Sequence, residues 1–265
     1  MWLKNKHAVI YGAGGAIGSA VARVFAREGA QVHLAGRTLS KLEATAHGIR
    51  EAGGCVSFSQ VDALDERAVQ AHVDAVVEQG GRIDVTLNAT GFMHLQGPSF
   101  LSLSYEDFAE PVTTFMRSNF ITARAVAKVM ARQHSGVILT LSTPGSRMSG
   151  SGFLGYGVTC AGIEAFTRIL AGELGPSGIR AVCLRPDAIP EALASSYARE
   201  VFRRAAEPHG LTPEAMLAAR ASAGTLLGRF PTLDEVAHAA LFAASDHAGA
   251  LTGAIMNLTC GSLVD

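Results

Sequence analysis

The sequence predicts a doubly wound α/β fold: a parallel sheet of about seven strands with helices on both faces, in one domain spanning residues 1–265. Three observations predict it. Short apolar runs alternate with amphipathic segments, which is the pattern of strands joined by crossover helices. A glycine-rich turn follows the first apolar run. The chain is 48% hydrophobic, which is enough for one large buried core.

The first half of the chain is predicted to contain four strands and three helices. The strands are the apolar runs 7–11, 31–35, 55–61 and 84–89, and the helices are 16–28, 40–52 and 65–79. In the first helix, apolar side chains recur at helical spacing and so share one face. Ser40 is predicted to cap the second helix, with Glu43 completing a capping box.

The second half is predicted to contain three more strands, 136–142, 179–184 and 254–258, with long helices over 105–133 and from about Tyr156. Pro111 interrupts the first of these helices and predicts either a kink or a later helix start. Between 190 and 228 the chain is rich in Ala and Arg and contains no strand pattern. An insertion of this kind after a strand predicts a helical lid over a substrate site.

Charge and composition argue against several classes of function. A net charge of −1 leaves no basic surface for nucleic acid, and no apolar window reaches the roughly 18 residues of a membrane span. The start of the chain runs directly into a strand without the pattern of a secretion signal. The four cysteines have neither metal-ligand spacing nor a disulfide pattern. We therefore expect a cytoplasmic protein with a small-molecule substrate and no metal.

The glycine-rich turn predicts a dinucleotide site. Gly12, Gly14, Gly15 and Gly18, with Ile17 among them, lie between the first strand and the first helix. Glycines at this place allow a tight turn and let backbone N–H groups approach a pyrophosphate at the helix N-terminus. The position between strand and helix makes the motif more specific than a lone glycine cluster.

The residues at the end of the second predicted strand indicate which dinucleotide binds. An NAD site usually has a carboxylate there for the ribose 2′-hydroxyl, but this chain has Gly36, followed by Arg37 and Thr38. A guanidinium beside an uncharged residue suits a 2′-phosphate, which favours NADP(H) over NAD(H). Asp62, after the third strand, either binds the adenine amino group or caps the third helix.

Three motifs together resemble the classical short-chain dehydrogenase/reductase family over nearly the whole chain. The family's T-G-x-x-x-G-x-G appears over residues 11–18, its N-N-A-G over 88–91, and its C-terminal pattern over 228–253. The resemblance implies a Rossmann-like fold. It also implies nicotinamide cofactor contacts from Asn88, Gly91, Pro186 and Ile189, and a homodimer or homotetramer built through the helices near 105–133 and 156–174.

The same resemblance implies the catalytic residues. The family's tyrosine corresponds to Tyr156, its serine to Thr143 and its supporting asparagine to Asn119. The family's lysine, which lowers the tyrosine pKa by its positive charge, corresponds to Cys160. Arg147 or Arg185 remains as a source of charge from another segment of the chain.

Three functions follow from these residues. The first is an NADP(H)-dependent oxidoreductase acting on a carbonyl or secondary alcohol of a small, largely apolar substrate. The second is a non-redox acid/base enzyme, such as a dehydratase, isomerase or cyclase, that uses Tyr156, Asp187 or Glu191. The third is a catalytically impaired NADP-binding protein. In each case a small apolar role for Cys160 is favoured over a nucleophilic one, because no acid or histidine flanks it.

Overall fold

The computed structural model describes residues 1–264, and its centre is one parallel sheet of seven strands. The strands are β1 (His7–Tyr11), β2 (Gln31–Gly36), β3 (Cys55–Gln60), β4 (Val85–Asn88), β5 (Gly136–Leu141), β6 (Ile179–Pro186) and β7 (Ile255–Leu258). Their order is β3-β2-β1-β4-β5-β6-β7, and each neighbouring pair is parallel. The prediction of a Rossmann-like sheet of about seven strands is confirmed.

Eight helices of the described residues connect or follow these strands. They are α1 (Ala16–Arg27), α2 (Leu39–Glu51), α3 (Glu66–Gly80), α4 (Tyr105–Gln133), α5 (Leu154–Leu174), α6 (Ala198–Ala206), α7 (Pro213–Gly224) and α8 (Leu233–Ala244). No helix within residues 1–264 is long and apolar enough to cross a membrane.

The two faces of the sheet bury separate apolar clusters. On one face, Val21 and Phe25 of α1 and Leu241 of α8 pack with strand residues such as Ile10 and Leu34. A second cluster, which contains residues of α3 and α4, packs with alternating strand residues such as Val9 and Ile138. Because parallel strands are buried on both faces, they read as continuous apolar runs, which is why their positions were predictable.

One predicted helix feature is wrong, and one of the two alternatives for Pro111 is excluded. The second helix begins at Leu39 with Thr38 as its N-cap and no side-chain cap bond, so Ser40 lies inside the first turn and forms no capping box with Glu43. Pro111 does not mark the start of α4, because Ser104 caps that helix through the backbone N–H of Asp107. The capping box that does form joins Thr232 and Glu235 at the start of α8.

The topology fixes where a site can form. The order of connection reverses between β1 and β4, and in such sheets ligands bind at the carboxyl ends of the strands beside this switch point. Residues 190–228, the predicted lid and hereafter the lid segment, form a short 3₁₀ turn (Pro190–Ala194), α6, a second 3₁₀ turn and α7. It contributes side chains to the cavity at this edge of the sheet.

Candidate active site

The glycine turn after β1 is held by close backbone packing. Gly12 has φ +74°, and a Cβ there would collide with the carbonyl of Ala89. A Cβ on Gly18 would collide with the carbonyl of Gly12. The first turn of α1 follows Gly15, which makes no side-chain cap bond, so its N–H groups remain available to a ligand. This cradle fits an anionic pyrophosphate.

One cavity of about 670 Å³ contains nearly all of the predicted site residues. They are Gly12, Gly14, Gly15, Ile17, Arg37, Thr38, Asp62, Asn88, Gly91, Asn119, Thr143, Tyr156, Pro186 and Ile189. Gly18 is the exception, since it packs beneath Gly12 and does not line the cavity. The motif reasoning and the resemblance together selected residues that the fold brings to one place, and Gly18 supports the turn from behind.

The β2 end of the cavity carries two cations. Arg37 is exposed, with its guanidinium 5.8 Å from the centre of the Phe92 ring. Lys41, which the sequence analysis missed, also lines the cavity and donates to the carbonyl of Ser195 over 3.4 Å. The available signal was its position in the first turn of the helix that follows the second strand, four residues after Arg37.

Asp62 is not the cap of the third helix. Its Oδ1 accepts from the backbone N–H of Leu64 over 3.0 Å, while Asp65 caps α3 by accepting from Arg67 and Ala68. The capping alternative is therefore wrong for Asp62, which lines the cavity. An adenine contact stays a prediction.

Asn88 holds the turn after β4 rather than presenting its side chain to a ligand. Its Nδ2 donates to Ser118 Oγ (3.2 Å) and Thr122 Oγ1 (3.1 Å) of α4, and its Oδ1 accepts from Thr90 N (3.0 Å). Gly91 follows, and a Cβ there would collide with the ring of Tyr197 from the lid segment. Asn88 thus fixes the backbone on which Gly91 contacts the lid.

Tyr156, Thr143 and Cys160 form the centre of the site. Thr143 Oγ1 lies 3.2 Å from Cys160 Sγ and also accepts from the N–H of Gly145. Burial raises the pKa of Tyr156 well above its ordinary value, Cys160 and Tyr197 raise it further, and hydrogen bonding to Thr143 lowers it. Tyr156 is therefore a neutral phenol at physiological pH.

Cys160 is a buried thiol and not an activated nucleophile. Its side chain is 1% exposed, and burial raises its pKa to about 11 despite hydrogen bonds to Thr143. The thiolate is the nucleophilic form of cysteine, so this environment disfavours nucleophilic chemistry. Cys160 supplies no positive charge to Tyr156 either.

Arg185 is not among the groups that shift the pKa of Tyr156. It is 1% exposed and pairs with Glu164 Oε1 over 3.5 Å, so its charge is compensated there. Glu164 also accepts from Ser142 Oγ (2.8 Å) and Ser146 Oγ (2.6 Å). Arg147, the other residue considered, is exposed after the short turn Pro144–Ser146.

Asn119 retains an unused acceptor within the described residues. Its Nδ2 donates to the carbonyl of Phe115 over 2.9 Å, while its buried Oδ1 has no partner among residues 1–264. A buried amide oxygen without a hydrogen bond is unfavourable, so this atom is suited to accept from a ligand or water in the cavity.

The two carboxylates after β6 differ in position. Asp187 is buried and accepts from Arg220 (3.2 Å), Ser262 Oγ (2.5 Å) and its neighbour Ala188 N–H (2.6 Å). Glu191 is exposed and accepts from the N–H of Leu233 at the start of α8 over 2.8 Å. Both groups have structural partners, and Asp187 alone lines the cavity.

An aromatic group surrounds Tyr156. His94, in the loop after β4, stacks on the Tyr156 ring with centroids 3.8 Å apart and planes 4° apart. Tyr197 contacts the edge of His94 at 6.1 Å between centroids. The sequence analysis missed His94, whose signal was its place three residues after Gly91, on a loop predicted to reach the cofactor.

The chain is similar to known reductases over nearly its whole length. The family model described as enoyl-(acyl carrier protein) reductase matches residues 12–262. A 3-oxoacyl-[acyl-carrier-protein] reductase of Chlamydia muridarum is 28% identical over 260 residues, 98% of each chain. The short-chain reductase NovJ of Streptomyces niveus is 31% identical over 96% of this chain and 92% of its own. An actinorhodin polyketide ketoreductase crystallised with NADPH is 26% identical, with a TM-score of 0.86 over 97% of both chains.

The chain belongs to the short-chain dehydrogenase/reductase family of oxidoreductases, whose members bind a nicotinamide cofactor. Within this class, the site described above places Tyr156 and the Thr143 hydroxyl beside the buried thiol of Cys160.

Proposed function

We propose that the protein is an NADP(H)-dependent oxidoreductase that reduces the carbonyl of a small, largely apolar substrate. The observation that carries the proposal is the shared cavity. It joins an uncapped helix N-terminus and the Arg37–Lys41 pair to the hydrogen-bonded Tyr156 and Thr143. The first two features suit a phosphorylated dinucleotide, and the last suits proton transfer to oxygen.

The cofactor would be held mainly by backbone. The turn from Gly12 to Gly15 would receive the pyrophosphate, Arg37 and Lys41 the 2′-phosphate, and Asp62 the adenine. Pro186 and Ile189 would lie against the nicotinamide. The bound nicotinamide supplies hydride to the substrate carbon, which is the redox part of the reaction.

The side chains of this chain would handle the proton. Tyr156 is neutral because its pKa is raised, so it can donate a proton to the carbonyl oxygen as the alcohol forms. Thr143 would orient that oxygen with its hydroxyl, and Asn119 would hold a water or a cofactor hydroxyl through its unused Oδ1. The reverse reaction needs a phenolate, which this environment disfavours, so we propose reduction as the faster direction near neutral pH.

The lid segment supports an apolar substrate. Its cavity-lining residues include Val201, Phe202, Ala205 and Met216, and Met148 and Phe153 line the same cavity. These side chains offer apolar contact area and few polar groups, which is typical of small-molecule sites that select by shape.

A homodimer or homotetramer through α4 and α5 is also proposed. Phe120 of α4 and Ile169 of α5 are 54% and 64% exposed in the isolated chain. Burying such side chains between copies would be favourable. Light scattering coupled to size exclusion, on the wild type and on Phe120→Ser, tests this.

The decisive experiment combines binding and turnover. NADPH and NADH are titrated calorimetrically against the wild type and Cys160→Lys, and NADPH oxidation is then followed with a panel of ketones and aldehydes. The proposal expects tighter binding of NADPH than NADH, together with turnover by the wild type. NADPH binding without turnover, restored in Cys160→Lys, would instead establish the binding-protein function.

The buried Cys160 thiol, at the place where the resemblance implies a lysine, favours that second candidate, a catalytically impaired NADP-binding protein. The non-redox alternative is supported less. Asp187 is paired with Arg220 and Ser262, and Glu191 with the N-terminus of α8. Product formation without any change in nicotinamide absorbance would revive it.

A further inference from the structure

A Tyr156 phenolate would have to be stabilised in this site without a lysine beside it. Within residues 1–264 the groups that shift the pKa of Tyr156 are Cys160, Tyr197 and Thr143, and none of them carries positive charge. A tyrosine that donates its proton becomes an anion in the transition state. Without a positive charge nearby, that anion is poorly stabilised in the transition state, so the reaction is slower.

His94 is the group placed to supply that charge. Its ring lies face to face with the Tyr156 ring at 3.8 Å. It is the titratable side chain in closest ring contact with Tyr156 among the described residues. An opposite charge at about 4–6 Å shifts the pKa of an acid by about 1–3 units toward its ionised form.

Both charge states of His94 can be fully hydrogen bonded. Nδ1 lies 3.0 Å from the carbonyl of Phe92, which can only accept, so Nδ1 carries hydrogen. Nε2 lies 3.0 Å from the side-chain amide of Gln96. The amide nitrogen donates to the neutral ring, and after rotation of the amide its oxygen accepts from the protonated ring.

Burial disfavours the protonated form of His94, and the tyrosine and phenylalanine rings that face it carry no charge. Tyr156 of α5, Phe115 of α4 and Tyr197 of the lid segment face its ring. Both tyrosines are neutral, because burial raises their pKa values. Arg37 contacts the neighbouring Phe92 ring, and Cys160 adjoins Tyr156 as a thiol. Burial lowers the pKa of His94, and its bond to Phe92 raises it.

We propose that His94 is a positioning residue which, when protonated, supplies through the face of the Tyr156 ring the positive charge that Cys160 does not. The proposal rests on the proposed carbonyl reduction. Protonated His94 makes Tyr156 a stronger acid, so reduction accelerates as the pH falls through the pKa of His94. Gln96 sets that pKa through its contact with Nε2.

The test is the pH dependence of kcat for ketone reduction at saturating NADPH, measured beside NMR titration of the histidine rings. In the wild type we expect kcat to rise about tenfold on acidification below the usual histidine pKa of about 6.5. The NMR titration of His94, assigned by its absence in His94→Phe, should have the same midpoint. His94→Phe keeps an aromatic ring on Tyr156 and should lose the acid rise.

Gln96→Glu is the sharper variant, because it places a carboxylate on Nε2. It should move the kinetic midpoint and the NMR midpoint upward together, by about one unit or more. Gln96→Met is its matched control and should move neither midpoint upward. In Cys160→Lys, the acid rise should shrink to the extent that the new lysine is protonated and supplies positive charge beside Tyr156.

The outcomes separate the two proposals. Absence of turnover at every pH, with NADPH still bound, defeats the proposed function and this inference with it. Turnover with an acid rise that persists in His94→Phe defeats this inference alone. The same holds if Gln96→Glu moves the NMR midpoint without the kinetic one. Retained NADPH affinity and circular dichroism in each variant show that the fold is intact.

Discussion

The glycine turn and the Tyr156 cluster line the same cavity, but the turn presents backbone atoms and the cluster presents side chains. The turn is made of backbone, with Gly12 and Gly18 so close to neighbouring carbonyls that no side chain fits. The cluster is made of side chains from α5, the segment after β5 and the loop after β4. A backbone site is therefore lost with the local fold, whereas a side chain of the cluster can be substituted while the fold persists.

The largest effect should come from the side-chain region. Tyr156→Phe removes the proposed proton donor, so turnover should fall about 10²–10⁴-fold, while NADPH affinity should stay nearly constant because the turn is untouched. Steady-state kinetics and calorimetric titration measure the two quantities. Tyr105→Phe, at a tyrosine that is 75% exposed, is the control and should change neither. Loss of NADPH affinity in Tyr156→Phe would show that the two regions are not separable.

Acid should weaken the region around β1 to β3. His33 and His72 are buried, and burial lowers the pKa of each to about 4. Between about pH 6.5 and pH 4 the unfolded chain binds more protons than the folded one, so stability is complete above 6.5 and falls with pH across this window. The loss should be about 2–3 kcal/mol for each histidine.

Urea denaturation at a series of pH values measures this loss. His47 is 73% exposed, so His47→Gln should leave the slope of stability against pH unchanged. The double variant His33→Gln/His72→Gln should flatten it. An equal slope in all three proteins would contradict the assignment to buried histidines.

Two glycine-to-alanine changes in helices should shift the free energy of unfolding in opposite directions, because the backbone is crowded around only one of the two glycines. Gly172→Ala, in α5, meets nothing within 4 Å and should stabilise by about 0.5–1 kcal/mol through helix propensity. Gly18→Ala, in α1, would collide with the carbonyl of Gly12 and should destabilise by about 1–3 kcal/mol. It should also weaken NADPH binding. Urea denaturation and NADPH titration test both, and stabilisation by Gly18→Ala would remove the basis for a rigid backbone cradle.

The smallest effect is expected at the exposed end of the cavity. Arg37→Ala should weaken NADPH binding about tenfold and leave NADH binding unchanged, because one screened charge to the 2′-phosphate is lost. Arg67→Ala, at an exposed arginine of α3 outside the cavity lining, is the matched control. Equal losses for NADPH and NADH would mean that Arg37 does not read the 2′-phosphate.

The strands of the sheet and the glycine turn of the site could both be predicted from the sequence. The seven strands lie within two residues of their predicted bounds, because buried parallel strands leave continuous apolar runs. The glycine turn was predictable because its chemistry is local to residues 12–18. The cap of α2 was not, since Ser40 and Glu43 match the capping pattern while the helix starts at Leu39.

The contacts that sequence could not supply join distant segments. The stacking of His94 on Tyr156 depends on how the loop after β4 meets α5. Similarly, the sequence offered Asp187 as an acid/base group, and the structure pairs it with Arg220 of the lid segment. Such pairings follow from tertiary packing, which leaves no periodic signal along the chain.

Asp187 also has a consequence for motion. Its buried carboxylate connects the end of β6 to Arg220 of α7 and to Ser262 near the C-terminus. Separating α7 from the sheet would leave that carboxylate short of a partner in a buried place, which is costly. We therefore expect the cavity to open for substrate by movement of α6, while α7 stays packed against the sheet. Amide hydrogen exchange should be faster in α6 than in α7, and Asp187→Asn should bring the two rates together.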